Sequence, residues 1–242
     1  MTRQRRIHVE QVWGTAVSID VPLHRCDQAT ADMGIAAVVR WLHEVDAIFS
    51  TFRPDSDVSR LRTGQLTAAD SCADLREVLD RCQRLRDLSH GRFDPWAVPG
   101  GFDPSGLVKG WAADRAAAVL ATLGAPDCLI NAGGDVTVRG GPEAGRHWQV
   151  GLQHPSLPGE VHGSVTVTDC AVATSGTYER GDHVWSPQGV AAVSATVVGP
   201  DGATADALAT ALLIEGVAGL GWLTRLPAYS AQVVEADRVT AT

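Results

Sequence analysis

The sequence predicts a single α+β domain, and three observations carry that expectation. The chain has 242 residues, 45% apolar and 20% charged, ordinary figures for a globular chain and enough to bury a sizeable core. Helical and strand-type apolar spacings both recur, yet without the regular strand–helix alternation of a doubly wound parallel sheet. No internal repeat, low-complexity tract or linker interrupts the pattern, and residues 140–145 offer only a weak seam.

Residues 9–21 alternate loosely (Val9, Val17, Ile19, Val21) and break at Gly14, which reads as a hairpin or bent strand. Residues 30–49 carry Met33, Ala37, Leu42, Val45 and Ile48 at helical spacing, with Thr30 or Asp32 as the cap. A loop over 50–62 leads to a second helix over 70–89, with Leu75, Val78, Leu79, Cys82 and Leu85 on one face. Residues 90–106 are too rich in glycine and proline for a regular element. An alanine-rich helix follows from about Val108, with Gly124 as its stop. Strands are expected over 128–131, 136–138, 148–152, 164–172 and 193–198. A helix over 205–216, a short helix over 219–226 and a strand over 229–235 complete the chain.

The net charge of −8 removes the electrostatic attraction on which nucleic-acid and anionic-membrane binding depend, so neither partner is expected. An anionic ligand would need local help from a metal ion, helix N-termini or a few placed cations. Cys26, Cys72, Cys82, Cys128 and Cys170 form no CxxC pair, which points to reduced thiols in a cytoplasmic protein. The basic start, Met1 to Arg6, runs into Ile7-His8-Val9-Glu10 and resembles neither a signal peptide nor a lipoprotein leader. The most apolar stretch, 207–223, is broken by Glu215, Gly216, Gly219 and Gly221, so no membrane insertion is expected.

Four segments hold groups capable of chemistry. The glycine loop from Gly100 to Gly110 runs into a helix start, where backbone amides, the helix dipole and Lys109 would favour an anion; it is not a P-loop, because Gly110 follows Lys109. Taken alone, an ordinary loop with a solvated lysine explains it better. Asp206 and Thr210 share a helix face at i, i+4 and would suit a hard cation such as magnesium. Equally, Asp206 could cap its helix while Thr210 bonds back to an upstream carbonyl. The hydroxyl-rich segment from Thr174 to Thr177 leads to His183, a possible general base, and to Trp185, which could stack on a planar ring. Asn131-Ala132-Gly133-Gly134-Asp135 is a sharp turn after a buried strand, too generic to name a ligand. His154 and His162 read as surface residues, not as a metal pair.

Taken together, seven stretches resemble one family, the FAD:protein FMN transferases (the ApbE family). They are Trp13-Gly14-Thr15; 49–61, with Phe52; Gly91-Arg92-Phe93-Asp94-Pro95; 103–115, with Asp103, Lys109 and Gly110; 130–135; 173–180; and 205–210. They stand in the family's order and span nearly the whole chain. The resemblance implies a T-fold-like arrangement of mixed or antiparallel strands packed with helices, with a flavin site between two halves. It implies that FAD binds with its pyrophosphate on Mg2+, that a threonine or serine hydroxyl of an acceptor flavoprotein attacks the FMN-side phosphorus, and that AMP leaves. The metal would be held by Asp206, Thr210 and the carbonyl of Gly106. Trp13, Phe52, Arg92, Phe93, Asp94, Asp103, Lys109 and Trp185 would touch the nucleotide, and His183 would be the base, with Asp206 also essential to catalysis.

Two departures stand out. Trp13 replaces the family's usual methionine, and Ser186-Pro187 replaces an Asp-Pro beside His183. The chain is also compact and leaderless by its sequence, which points to a cytoplasmic acceptor. FAD hydrolysis to FMN and AMP, and flavin binding without chemistry, are the competing readings.

Overall fold

A computed structural model describes residues 4–157, 159–177, 189–236 and 238–242. Eight strands form one sheet in the order β1 (Arg5–Val12), β2 (Thr15–Pro22), β3 (Cys128–Ala132), β4 (Asp135–Arg139), β7 (Cys170–Gly176), β8 (Ser194–Gly199), β9 (Ser230–Glu235), β10 (Arg238–Ala241). Each pairing among them is antiparallel. Strands β5 (Trp148–Gln153) and β6 (Val161–Val167) form a separate two-stranded sheet. The helices are α1 (Gln28–Phe49), α2 (Asp57–Arg62), α3 (Ala73–Leu88), α4 (Ser105–Thr122) and α5 (Gly202–Glu215), followed by a 3-10 helix (Gly216–Arg225).

No repeat is visible in the sequence, but the topology repeats. In each half, a hairpin is followed by a helical excursion and a second hairpin: β1-β2, helices, β3-β4, then β7-β8, helices, β9-β10. The halves meet where β4 pairs with β7.

Strand periodicity decides what each face of the sheet carries. Val17, Ile19 and Val21 of β2 and Cys128 and Ile130 of β3 pack against Ile35, Val38 and Leu42 of α1 and Ala113, Ala116 and Leu120 of α4. Ala195, Val197 and Val233 pack against Leu208, Leu212 and Leu213 of α5. Val136, Val138 and Val172 point the other way, into a small core under Trp148, Val150 and Leu152 of the two-stranded sheet. On β4 the residues that alternate with those valines, Asp135 and Thr137, therefore face the helices.

The two inner helices are small-sided so that they can lie close. Alanines cover both flanks of α4 and α5, and each helix contributes to two separate clusters of apolar side chains. They touch at glycines: a Cβ built on Gly110 would lie 2.1 Å from the carbonyl oxygen of Gly202. The apolar run Gly202–Arg225 is long enough to raise the question of a membrane span. It changes from α to 3-10 geometry at Gly216, where φ is 70°, and α5 is a core helix packed on β7 and β8.

Local details differ from expectation for identifiable reasons. The first hairpin closes on Trp13 and Gly14, both left-handed (φ 58° and 68°), the handedness that matches strand twist in a two-residue turn. The α1 cap is Asp27, whose carboxylate accepts from the Thr30 amide at 2.8 Å, so neither Thr30 nor Asp32 performs that role. Ser56 caps a short helix, α2, inside the stretch read as loop. α4 begins at Ser105, earlier than expected, and is kinked at Gly106. The single strand expected over 164–172 is two strands in different sheets, because Asp169 turns left-handed (φ 49°) while its carboxylate accepts from the Gly140 amide. β10 was not expected. All five cysteines are free. The His154 and His162 rings lie edge to face with centroids 6.2 Å apart, and His162 is hydrogen-bonded between Gln153 and Gln232.

Candidate active site

The contact of Gly110 with Gly202 places the first turns of α4 and α5 side by side, at the junction of the two halves. Lys109 from α4, Asp135 from the start of β4 and Asp206 from α5 converge there. The Lys109 Nζ lies 2.5 Å from Asp135 Oδ2 and 3.2 Å from each oxygen of Asp206. The Gly110 amide donates to Asp206 at 3.4 Å, and the Thr174 amide donates to Asp135 Oδ1 at 3.1 Å. Asp206 is 2% exposed, and the Lys109 side chain, with 23% of its surface exposed, carries its ammonium inward to the two carboxylates.

Electrostatics here are lopsided: two carboxylates share one ammonium. Burial opposes the charge on Lys109, but Asp135 and Asp206 outweigh it and raise its pKa above the ordinary lysine value. Burial, then the Asp135 charge, push the Asp206 carboxyl upward against the pull of Lys109. The centre is thus short of positive charge.

α5 is capped by Asp201, whose carboxylate accepts from the Thr204 amide at 2.8 Å and pairs with Arg81 at 2.8 Å. Asp206 is therefore not the cap, which removes the simplest structural reason for a carboxylate inside an apolar helix. Thr210 lies one turn along, its hydroxyl 3.2 Å from Ser175 Oγ. The backbone of Gly106 approaches the same hydroxyl, since a Cβ there would lie 3.0 Å from Thr210 Oγ1 and 3.4 Å from Phe93 Cε2. The kink at Gly106 and the lack of a side chain allow that approach.

A hard divalent cation fits this donor chemistry. Asp206, Thr210 and the Gly106 carbonyl supply only oxygens, and the neighbouring charge balance favours an added cation. Among the described residues no three His, Cys, Asp or Glu side chains gather into a closed cage. Magnesium does not require one, because it commonly combines one or two carboxylates with water and substrate phosphates.

Of the remaining candidates, Phe93 approaches this centre, and the others among the described residues have partners elsewhere or none that touches it. Phe93 is buried against Gly106. Asp103 accepts from the Ser105 amide and pairs with Arg62 at 3.6 Å, ordering the entry to α4. Arg92 pairs with Glu215, and Asp94 pairs with Arg86 at 2.8 Å while accepting from the Trp96 amide. Trp13 donates its indole N–H to Leu42 O at 3.2 Å and packs between two apolar clusters. Phe52 is 93% exposed. His183 and Trp185 lie outside the described residues.

Sequence reasoning missed Asp135 and Ser175. The glycine turn was visible, but the strand register that aims Asp135 at α4 was not. Asp114 was also missed. It accepts from the Gly202 amide at 2.6 Å, from Thr137 at 3.1 Å and from Arg139 at 3.0 Å, tying α5 to α4 and β4.

The ApbE family model matches residues 13–100 and 97–233. A FAD:protein FMN transferase of Haemophilus influenzae is 24% identical, with 78% of this chain and 74% of that protein covered. One from Vibrio cholerae is 26% identical, with 73% and 72% covered. The crystal structure of the ApbE protein of Thermotoga maritima matches with a TM-score of 0.84 at 21% identity, covering 99% of this chain and 97% of that one. The apo flavinyl transferase ApbE of Pseudomonas stutzeri matches with a TM-score of 0.79 at 19% identity, covering 100% and 96%. The helices crossing at Gly110 and Gly202 thus sit within a known fold, and the chain belongs to the ApbE family.

Proposed function

We propose that this enzyme transfers the FMN part of FAD to a threonine or serine hydroxyl of an acceptor flavoprotein and releases AMP. One observation carries the reading: Gly106 lies against Thr210 and Lys109 against Asp206 where α4 crosses α5, in a centre whose two carboxylates share one ammonium. Asp206, Thr210 and the Gly106 carbonyl would hold Mg2+, which when bound supplies the charge that neutralises a pyrophosphate. Lys109 adds a second cation beside it. Trp13, Phe52, Arg92, Phe93, Asp94, Asp103 and Trp185 are the proposed nucleotide contacts.

In the reaction, the acceptor oxygen bonds to the FMN-side phosphorus. The bond from that phosphorus to the oxygen bridging to AMP breaks, and its electron pair leaves with AMP. The hydroxyl proton passes to a base. His183 is assigned that role on the family resemblance alone.

Incubating the purified chain with FAD and Mg2+, with and without a flavoprotein domain lacking covalent FMN, tests the proposal. AMP release that requires the acceptor and leaves it carrying FMN is the expected result. AMP release at the same rate without acceptor would identify an FAD hydrolase, and FAD retained without AMP would identify a binder.

A further inference from the structure

We infer that Asp135 is a positioning residue that receives the Lys109 ammonium when a divalent cation occupies Asp206. The inference rests on the metal reading above. Lys109 reaches both carboxylates at once, at 2.5 Å from Asp135 and 3.2 Å from either oxygen of Asp206. A cation on Asp206 competes with the ammonium for those same oxygens. Without a second carboxylate, Lys109 would be left largely buried beside a dication with no counter-charge, a severe cost in a low-dielectric setting.

Asp135 is placed for this purpose by three features. The β3–β4 turn starts β4 at this residue, and the strand alternation turns it toward the helices. Its Oδ1 is fixed by the Thr174 amide from β7, which aims Oδ2 at Lys109. Asp135 is only 4% exposed, so water cannot readily replace the carboxylate as partner to the ammonium. Asp135 thus acts on the cation through Lys109, and no direct contact with the metal is invoked.

The test titrates the full chain with Mn2+, reading the free ion by electron paramagnetic resonance. Asp135→Asn keeps an oxygen for the Thr174 amide and loses the ion pair. It should raise the Mn2+ Kd by about tenfold or more, the size expected when a buried charged group loses its partner. In a Lys109→Met background the same change should be several-fold smaller, because only the direct attraction of the Asp135 charge is then lost. Lys109→Met alone should tighten Mn2+ binding, since no ammonium has to be displaced, and this variant decides the matter if Asp135→Asn does not fold. An Asp135→Asn effect that is equal or larger in the Lys109→Met background would overturn the inference, as would a Lys109→Met chain that binds Mn2+ no more tightly. A native chain that takes up Mn2+ but is unaffected by Asp135→Asn overturns it while leaving the metal reading intact. A native chain that takes up no Mn2+ overturns both.

Discussion

The two halves of the molecule share a topology but divide the labour. In the first, the excursion between hairpins is long, running through α1, α2, α3 and the glycine loop before α4, and it brings Lys109. In the second it is short, α5 and a 3-10 helix, and it brings Asp206 into a helix otherwise buried in alanine, leucine and isoleucine. The first half places its cation at a kinked helix start. The second holds a carboxylate rigidly where burial disfavours its charge. The candidate centre is thus assembled from a cation and an anion that come from different halves. The backbone contact between Gly110 and Gly202 is what joins the two contributions.

The sharpest way to break this comparison is to remove the anion. Asp206→Ala is expected to abolish AMP release from FAD with acceptor present while leaving thermal stability unchanged or raised. Lys109 retains Asp135, and a buried carboxylate whose pKa is pushed upward is a burden on the fold. Wild-type turnover, or a large drop in melting temperature, would contradict the division of roles.

Next in size is the join itself. Gly110→Ala drives a methyl group into the Gly202 backbone, which has no soft side chain to yield, and should cost about 3 kcal/mol, the upper range for overpacking. Gly34→Ala is the control. Its methyl group would lie 2.9 Å from Leu120 Cδ2, the end of a flexible side chain, so urea melts should show a clearly smaller loss.

The two aspartates that anchor the start of α5 should respond to pH with opposite signs. For Asp201, burial raises the pKa but Arg81 and the Thr204 contacts overcome it, so the folded pKa is lowered. Its contribution is present above the unfolded carboxylate pKa and is lost as pH falls through the lower folded value. Asp201→Asn should therefore be less stable than the native chain at neutral pH, with the gap closing in acid. For Asp114, burial dominates and the folded pKa is raised despite the Gly202 amide and Arg139. Its contribution is present in acid and lost as pH rises through the raised value, so Asp114→Asn should gain relative to the native chain as pH rises. Denaturant melts between pH 3 and pH 7 compare the two slopes, and slopes of the same sign would show that the shifts have been misassigned.

The smallest effect concerns Phe52. Being exposed, its replacement by alanine should change stability by less than about 0.5 kcal/mol. A raised KM for FAD would then assign it to the nucleotide, and an unchanged KM would place it elsewhere.

Much of this architecture was legible because it is written in short-range signals. The Trp13–Gly14 turn, the helical spacing of α1 and α3, and the glycine stop at Gly124 all act within a few residues. What escaped depends on distant partners. Asp169 breaks a β-branched run without a glycine or proline to mark it, helped by an amide from Gly140. Asp206 is a plausible cap from sequence, and only the observed helix start at Gly202 gives that role to Asp201 instead. Asp135 is ordinary until the sheet register and the α4–α5 crossing bring it to Lys109.

The unpaired thiols have a practical consequence. Cys82 lies in the packed interior of α3, where burial and then the charges of Asp103 and Asp206 raise its pKa, and burial pushes Cys128 on β3 up to about 12. Such sulfurs are inert to alkylating reagents until the surrounding segment opens. One lies within reach of the charge of Asp206 in the candidate centre and the other in the core of the first half, so the chain carries two native labelling reporters. Their relative rates of modification would reveal whether the region around the centre loosens on its own or only together with the rest of the protein.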